Sequence, residues 1–213
     1  MKKSVIFDLD GTLTDSGPGI MGCAAETFKH YHLPVPCEKD LRTFVGPPLR
    51  DSFRRFGMPE NEIENAILCY RDFYTASGKY NNIPYAGIEQ LLAGLKARGH
   101  RLYVATSKPE DMSVDILKHF RLAGYFDIIS GASRNAGKDG KAFMISQLKE
   151  RVGLEESFLM VGDTVFDIVG AAAHGIPAVG VSWGYGIEQV MLVAGAVGIA
   201  HSMKELLELI ERS

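Results

Sequence analysis

Asp8 and Asp10 stand at the end of the apolar run Val5–Phe7, one residue apart, and Gly11 and Thr12 follow at once. If that run is a strand, alternation of side chains puts both carboxylates on one side of its carboxyl end. One carboxylate can then attack as a nucleophile while the other exchanges a proton, provided their surroundings push the two pKa values apart. Gly11 supplies the backbone freedom to turn away. By itself such a pair is also an Asx-rich turn after a strand. Three further groups favour phosphoryl chemistry: Thr106-Ser107-Lys108 after Leu102–Ala105, Lys141 at the head of a helical run, and Gly162-Asp163 with Asp167 after Phe158–Val161. Together they offer a nucleophile, an acid/base, hydroxyl and ammonium donors for phosphoryl oxygens, and carboxylates for a hard cation.

Such groups need a frame that brings strand ends to one rim. Short β-branched, apolar runs at Val5–Leu9, Leu102–Ala105, Phe126–Ile129, Phe158–Val161 and Ala178–Val181 read as buried parallel strands. Helical segments at Glu110–Leu122, Lys141–Val152 and Phe166–His174 alternate with them, and Met203–Ile210 reads as a closing helix. The alternation predicts a Rossmann-like, doubly wound parallel α/β sheet, whose ligands sit at the carboxyl ends of the strands. The interval from Leu9 to Leu102 is far longer than one crossover helix needs and carries mostly helical patterning. It predicts a small inserted helical cap over residues 18–81, with residues 1–17 and 82–213 forming the core and turn-rich segments at Asp15–Gly17 and Asn81–Pro84 as hinges.

VIFDLDGTLTDS, VATSKP, the Lys141 helix and MVGDTVFD, in that order, resemble the four motifs of the haloacid dehalogenase superfamily, and TSKP with the later GYG resembles its phosphoglycolate phosphatase and 5′-nucleotidase-like branch. The resemblance spans essentially the whole chain. It implies a phosphatase that hydrolyses small phosphomonoesters through an aspartyl-phosphate on Asp8, with Asp10 protonating the leaving oxygen and later activating water. It also implies a Mg2+ ion on the Asp8 carboxylate, the Asp10 carbonyl and Asp163, with Asp167 supporting that shell. Asp167 could equally be the acidic residue of a helix's first turn. Thr106 becomes a hydroxyl donor to the phosphoryl group, beside the Ser107 backbone N–H at a helix N-terminus, or else a plain N-cap. Gly11, Thr12 and Lys108 join the substrate contacts. Either Lys141 or Lys138 could be the motif lysine; Lys141 is favoured because it directly precedes a helical run, although the family's usual Lys-Pro pair is absent.

The cap should choose the substrate, and Arg50, after the rigid Gly46-Pro47-Pro48 turn, is the candidate for meeting a carboxylate or second phosphate, or else a solvated helix residue. The expectation is phosphoglycolate first and nucleoside 5′-monophosphate second. The alternatives are a phosphosugar mutase using the same two aspartates and a non-catalytic binding module; Asp10 disfavours a dehalogenase.

With 213 residues, 46% hydrophobic, 23% charged and a net charge of −3 spread along the chain, the composition is globular and carries no basic stripe for nucleic acid polymers or anionic lipid. Cys23, Cys37 and Cys69 lack metal-ligand or paired spacing, no signal-like or spanning run occurs, and a cytoplasmic monomer or weak homodimer is the expectation. Gly17-Pro18-Gly19-Ile20-Met21-Gly22 matches a dinucleotide fingerprint but follows the DGTLTDS loop instead of a strand, so it reads as hinge and helix entry. Trp183-Gly184-Tyr185-Gly186 reads as aromatic packing at the sheet edge.

Overall fold

The computed structural model describes residues 2–132, 140–153 and 157–212. Contacts divide the chain into two compact units, Met1–Thr14 with Pro84–Ser213 and Asp15–Ile83. In chain order the elements are β1 (Ser4–Phe7), β2 (Thr14–Asp15), α1 (Gly17–His30), α2 (Glu38–Leu41), α3 (Leu49–Arg55), α4 (Ile63–Ala76), β3 (Ile83–Pro84), α5 (Ile88–Ala97) and β4 (Arg101–Pro109). They continue with α6 (Glu110–His119), β5 (Ile128–Ala132), α7 (Lys141–Val152), β6 (Phe158–Gly162), α8 (Val165–Ala172), β7 (Ala178–Val181), α9 (Glu188–Val193), β8 (Gly198–Ala200) and α10 (Met203–Arg212). Among the described residues no helix is long and apolar enough to cross a membrane.

The sheet of the first unit runs β5-β4-β1-β6-β7-β8, and each neighbouring pair in it is parallel. Successive strands depart from β1 first toward β5 and then, through α7, toward β8. The order therefore reverses beside β1, where an open α/β sheet leaves its ligand crevice. The expected strands are present, with the third displaced to Ile128–Ala132; α5, α9 and β8 are additions to the sequence expectation.

Alternation decides what each face of β1 meets. Val5 and Phe7 pack with Leu102, Val104, Leu159 and Val161 against α5 and α10 through Leu92, Leu95, Leu206 and Ile210. Ile6 packs with Tyr103, Ala105 and Met160 against α7 and α8 through Met144, Ile145 and Ile168. With apolar cover on both faces, β1 can be apolar from Val5 to Phe7 without alternation, as its sequence is. Asp8 continues the parity of Ile6, so its side chain is sent toward the starts of α7 and α8.

The second unit is helical and closes on rings. Phe28 lies 6.1 Å from Phe44 and 5.7 Å from Phe53, and Tyr70 stacks on Tyr74 at 5.8 Å. Proline at the start of α1 fits an N-terminus, where its missing N–H is no loss. A Cβ at Gly19 would fall 2.1 Å from the Gly78 carbonyl oxygen, so this glycine of the fingerprint-like run serves close backbone packing.

Candidate active site

Register sets the strand ends level. Phe7 pairs with both Val104 and Val161, so Asp8 lies one residue beyond that level and Thr106 and Asp163 lie two beyond. The Asp8 N–H continues the ladder to the Val161 carbonyl at 2.9 Å, which fixes the carboxylate on the rim.

Lys141, the first residue of α7, is buried with its ammonium 2.6 Å from Asp8 Oδ1, 2.8 Å from Asp167 Oδ1 and 3.1 Å from the Ala105 carbonyl oxygen. Its neighbour Gly170 on α8 is needed for this, since a Cβ there would come within 2.7 Å of Lys141 Cβ. Lys138, the other candidate lysine, lies outside the described residues. Asp167 divides its oxygens: Oδ1 faces Lys141, while Oδ2 accepts from the Thr164 N–H at 3.0 Å and the Thr164 hydroxyl at 2.9 Å. It is thus at once the first-turn acid of a helix and part of the charged cluster.

Asp163 is fully buried, its Oδ1 accepting from the Thr12 hydroxyl at 3.2 Å and its Oδ2 from the Tyr185 N–H at 2.8 Å. Thr12, expected as a substrate contact, is fully buried and donates its hydroxyl to this carboxylate. Gly11, at φ 83°, is obligatory for proximity as well as for turning: a Cβ there would meet Asp163 Oδ2 at 2.2 Å. The Trp183–Gly186 loop turns out to grip the same residue. A Cβ on Gly184 would come within 2.3 Å of Asp163 Cβ, one on Gly186 within 1.9 Å of its carbonyl oxygen, and Trp183 Nε1 donates to the Thr12 carbonyl at 3.2 Å. The sequence reading of this loop as aromatic packing missed its hold on Asp163, for which the signal was the two glycines flanking Tyr185.

Burial raises the Asp8 carboxyl to about 6, with Lys141 opposing and Asp167 adding to the rise. Asp163 is raised well above the usual carboxylate range by burial and then by Asp167 and Asp8, against the Tyr185 N–H and Lys141. For Lys141, burial disfavours the charged form, but Asp167 and Asp8 outweigh it and hold the ammonium above its ordinary value. Asp8, Asp163 and Asp167 can each offer a carboxylate oxygen within 4.8 Å of the others, and one ammonium leaves the three short of positive charge. A hard divalent cation suits both the oxygen donors and the charge deficit.

Asp10 and Lys108 form a second pair, Nζ to Oδ2 at 3.0 Å, with side chains 13% and 7% exposed. The expected helix start at Thr106-Ser107 is corrected. β4 runs on to Pro109, α6 begins at Glu110, and Thr106 Oγ1 accepts the Lys108 N–H at 3.2 Å, so neither residue caps a helix. Against β5 the register jumps from Thr106↔Gly131 to Pro109↔Ala132, which makes Ser107 and Lys108 a bulge. Arg50 belongs to the second unit, half-exposed on α3 and ion-paired with Glu64.

A family model described as haloacid dehalogenase-like hydrolase matches residues 5–181. The tyrosine-protein kinase PtkA of Mycobacterium tuberculosis is 46% identical over 184 residues, covering 85% of this chain and 62% of that protein, so the chain spans less than two thirds of the relative's length. A 5′-nucleotidase of Pseudomonas aeruginosa is 36% identical over 187 residues, covering 87% of this chain and 85% of the relative. The crystal structure of a predicted phosphatase from Clostridium acetobutylicum superposes with a TM-score of 0.94 at 39% identity over 100% of both chains.

Proposed function

This chain belongs to the haloacid dehalogenase-like hydrolase family, and from that premise we propose that it is a magnesium-dependent phosphatase of small phosphomonoesters. The observation that carries the reading is Asp8 on the carboxyl rim of β1, with Lys141 on one oxygen and Asp163 and Asp167 in the same cluster. Asp8 attacks phosphorus with a lone pair. The bond to the leaving oxygen breaks toward that oxygen, which takes a proton from Asp10. Lys141 holds the nucleophile by Oδ1 and offers positive charge to the phosphoryl oxygens, with the Thr106 hydroxyl as a further donor. Water then attacks the aspartyl-phosphate as Asp10 takes its proton, and Asp8 recovers its electron pair with release of phosphate. Magnesium held by the Asp8 carboxylate, the Asp10 carbonyl and Asp163, with Asp167 supporting them, would neutralise charge between nucleophile and phosphoryl group.

Phosphoglycolate is favoured and nucleoside 5′-monophosphate comes second: the TSKP and GYG segments resemble the phosphoglycolate phosphatase branch, while the Pseudomonas relative supports a nucleotide. A second reading, phosphoryl transfer from Asp8 to a tyrosine hydroxyl instead of water, is favoured by the PtkA likeness. A phosphate-release panel of monoesters with and without magnesium tests the first reading. Release that requires magnesium and disappears in folded Asp8→Asn is expected. Substantial activity in that variant would overturn it, and transfer to a tyrosine peptide without phosphate release would favour the second.

A further inference from the structure

Lys108 was expected to touch substrate, but its ammonium is turned onto the carboxylate at Asp10. The backbone is built to put it there. Two residues of β4, Ser107 and Lys108, stand out of register between the pairs Thr106↔Gly131 and Pro109↔Ala132. Such a bulge bends the strand and re-aims its side chains. Three contacts hold this one: the Lys108 N–H donates to Thr106 Oγ1 at 3.2 Å, the Gly131 N–H donates to Glu110 Oε2 at 3.3 Å, and Arg151 Nη1 meets the same Glu110 oxygen at 2.9 Å. Gly131 is what lets β5 come so close, since a Cβ there would lie 2.6 Å from both the Lys108 carbonyl oxygen and the Glu110 nitrogen.

The pair is also asymmetric. Lys108 engages Asp10 Oδ2, whereas Asp10 Oδ1 is buried with no hydrogen-bond partner among the described residues. A buried carboxylate oxygen without a donor is costly unless another group meets it during function. We propose that Lys108 is a positioning residue, which clamps Asp10 by Oδ2 and so presents Oδ1 to the leaving oxygen of the substrate. This rests on the hydrolytic reading above. As the bond from phosphorus to the leaving group breaks, the electron pair goes to the leaving oxygen and the proton on Oδ1 follows it. Asp10 is left as a carboxylate against the Lys108 ammonium, and Asp8 carries the phosphoryl group.

The clamp matters only where a proton must be delivered. An alkyl monoester expels an alkoxide that needs the proton, whereas 4-nitrophenolate leaves without one. Because kcat/KM reports the steps up to departure of the leaving group, it isolates this transfer from the later attack by water. Lys108→Met should lower kcat/KM for glycerol phosphate by ~10²-fold, at the low end of general-acid contributions, and for 4-nitrophenyl phosphate by less than ~5-fold. Lys108→Arg, which keeps the charge in a bulkier head, should recover part of the glycerol phosphate loss and guards against a Met variant that fails to fold. Equal losses on the two esters would overturn the proposal. So would a loss confined to KM for carboxylate-bearing substrates, which would return Lys108 to direct substrate contact. A crystal structure of Lys108→Met provides a readout that needs no turnover: Asp10 should leave its present rotamer, and an unmoved Asp10 would overturn the clamp even if the wild type hydrolysed nothing and the phosphatase reading had failed by itself.

Discussion

The charged residues of the two units follow opposite rules. In the core, Lys141, Asp8, Asp163 and Asp167 are buried and share partners, and the proton affinities of Asp8, Asp163 and Lys141 are shifted by burial and by their neighbours. In the helical unit Arg54 meets Glu60 at 2.7 Å and Asp51 at 3.3 Å, Lys29 meets Glu26 at 2.8 Å, and Arg50 meets Glu64, all with side chains about half exposed. Geometrically the pairs are alike, yet energetically they differ. Water and salt screen the exposed set, so each pair there contributes little. The buried set has lost its water and depends on its partners, so deleting one member strands the others. A short contact distance therefore says little about importance without the burial beside it.

The largest expected effect comes from breaking the buried set. Lys141→Ala should lower kcat ~10²–10³-fold, the scale of removing one preorganised donor from a reacting centre. It should also destabilise the fold by about 3–5 kcal/mol, because Asp8 and Asp167 are left facing each other without a cation. Arg54→Ala should leave the melting temperature within error despite its two partners. Calorimetry of both variants tests the contrast, and equal losses would erase it.

A smaller effect, in pH, sharpens the comparison. Asp8 has a folded pKa raised from its ordinary value to about 6. The folded state thus binds its proton more tightly than the unfolded state does. The stability this contributes is fully present below the ordinary carboxylate range and is lost as pH rises through about 6. Metal-free protein should therefore gain stability from pH 7 to pH 5 more steeply than Asp8→Asn does. Saturating magnesium should shrink that gain, since a cation favours the ionised carboxylates. Parallel pH profiles for wild type and Asp8→Asn would show that Asp8 does not carry the effect.

Much of this placement was legible in the sequence. The uncharged runs Val5–Phe7 and Phe158–Val161 declared buried parallel strands, and parallel strands in register bring their carboxyl ends to one rim. The helical run that Lys141 directly precedes located it at the head of α7. Two features were not legible. The hold of Thr12 and the Gly184–Gly186 loop on Asp163 depends on segments far apart in the chain, and the glycines announce closeness without naming what they are close to. The bulge at Ser107-Lys108 was hidden because Thr-Ser before Pro109 and Glu110 looks like a helix start; only the pairing with β5 reveals strand there. The ion pair of Lys108 with Asp10 was equally invisible in the sequence.

The smallest expected effect tests whether an exposed residue of the helical unit can still matter to specificity. On the proposed mechanism the core residues act on the phosphoryl group, which every monoester shares, so discrimination between a carboxylate and a nucleoside would come from other contacts. Arg50 is the candidate, and it starts from a weak, screened pair with Glu64 that costs little to exchange. A guanidinium that trades one exposed carboxylate for another gains only the difference between them. Arg50→Ala should accordingly raise KM for phosphoglycolate by roughly tenfold, about one charge-assisted hydrogen bond, while leaving kcat and the KM for 4-nitrophenyl phosphate nearly unchanged. Glu64→Ala should shift phosphoglycolate KM the opposite way, because it removes the competing carboxylate. If neither substitution separates the two substrates, Arg50 is a solvated helix residue and the exposed set is as dispensable to specificity as it is to stability.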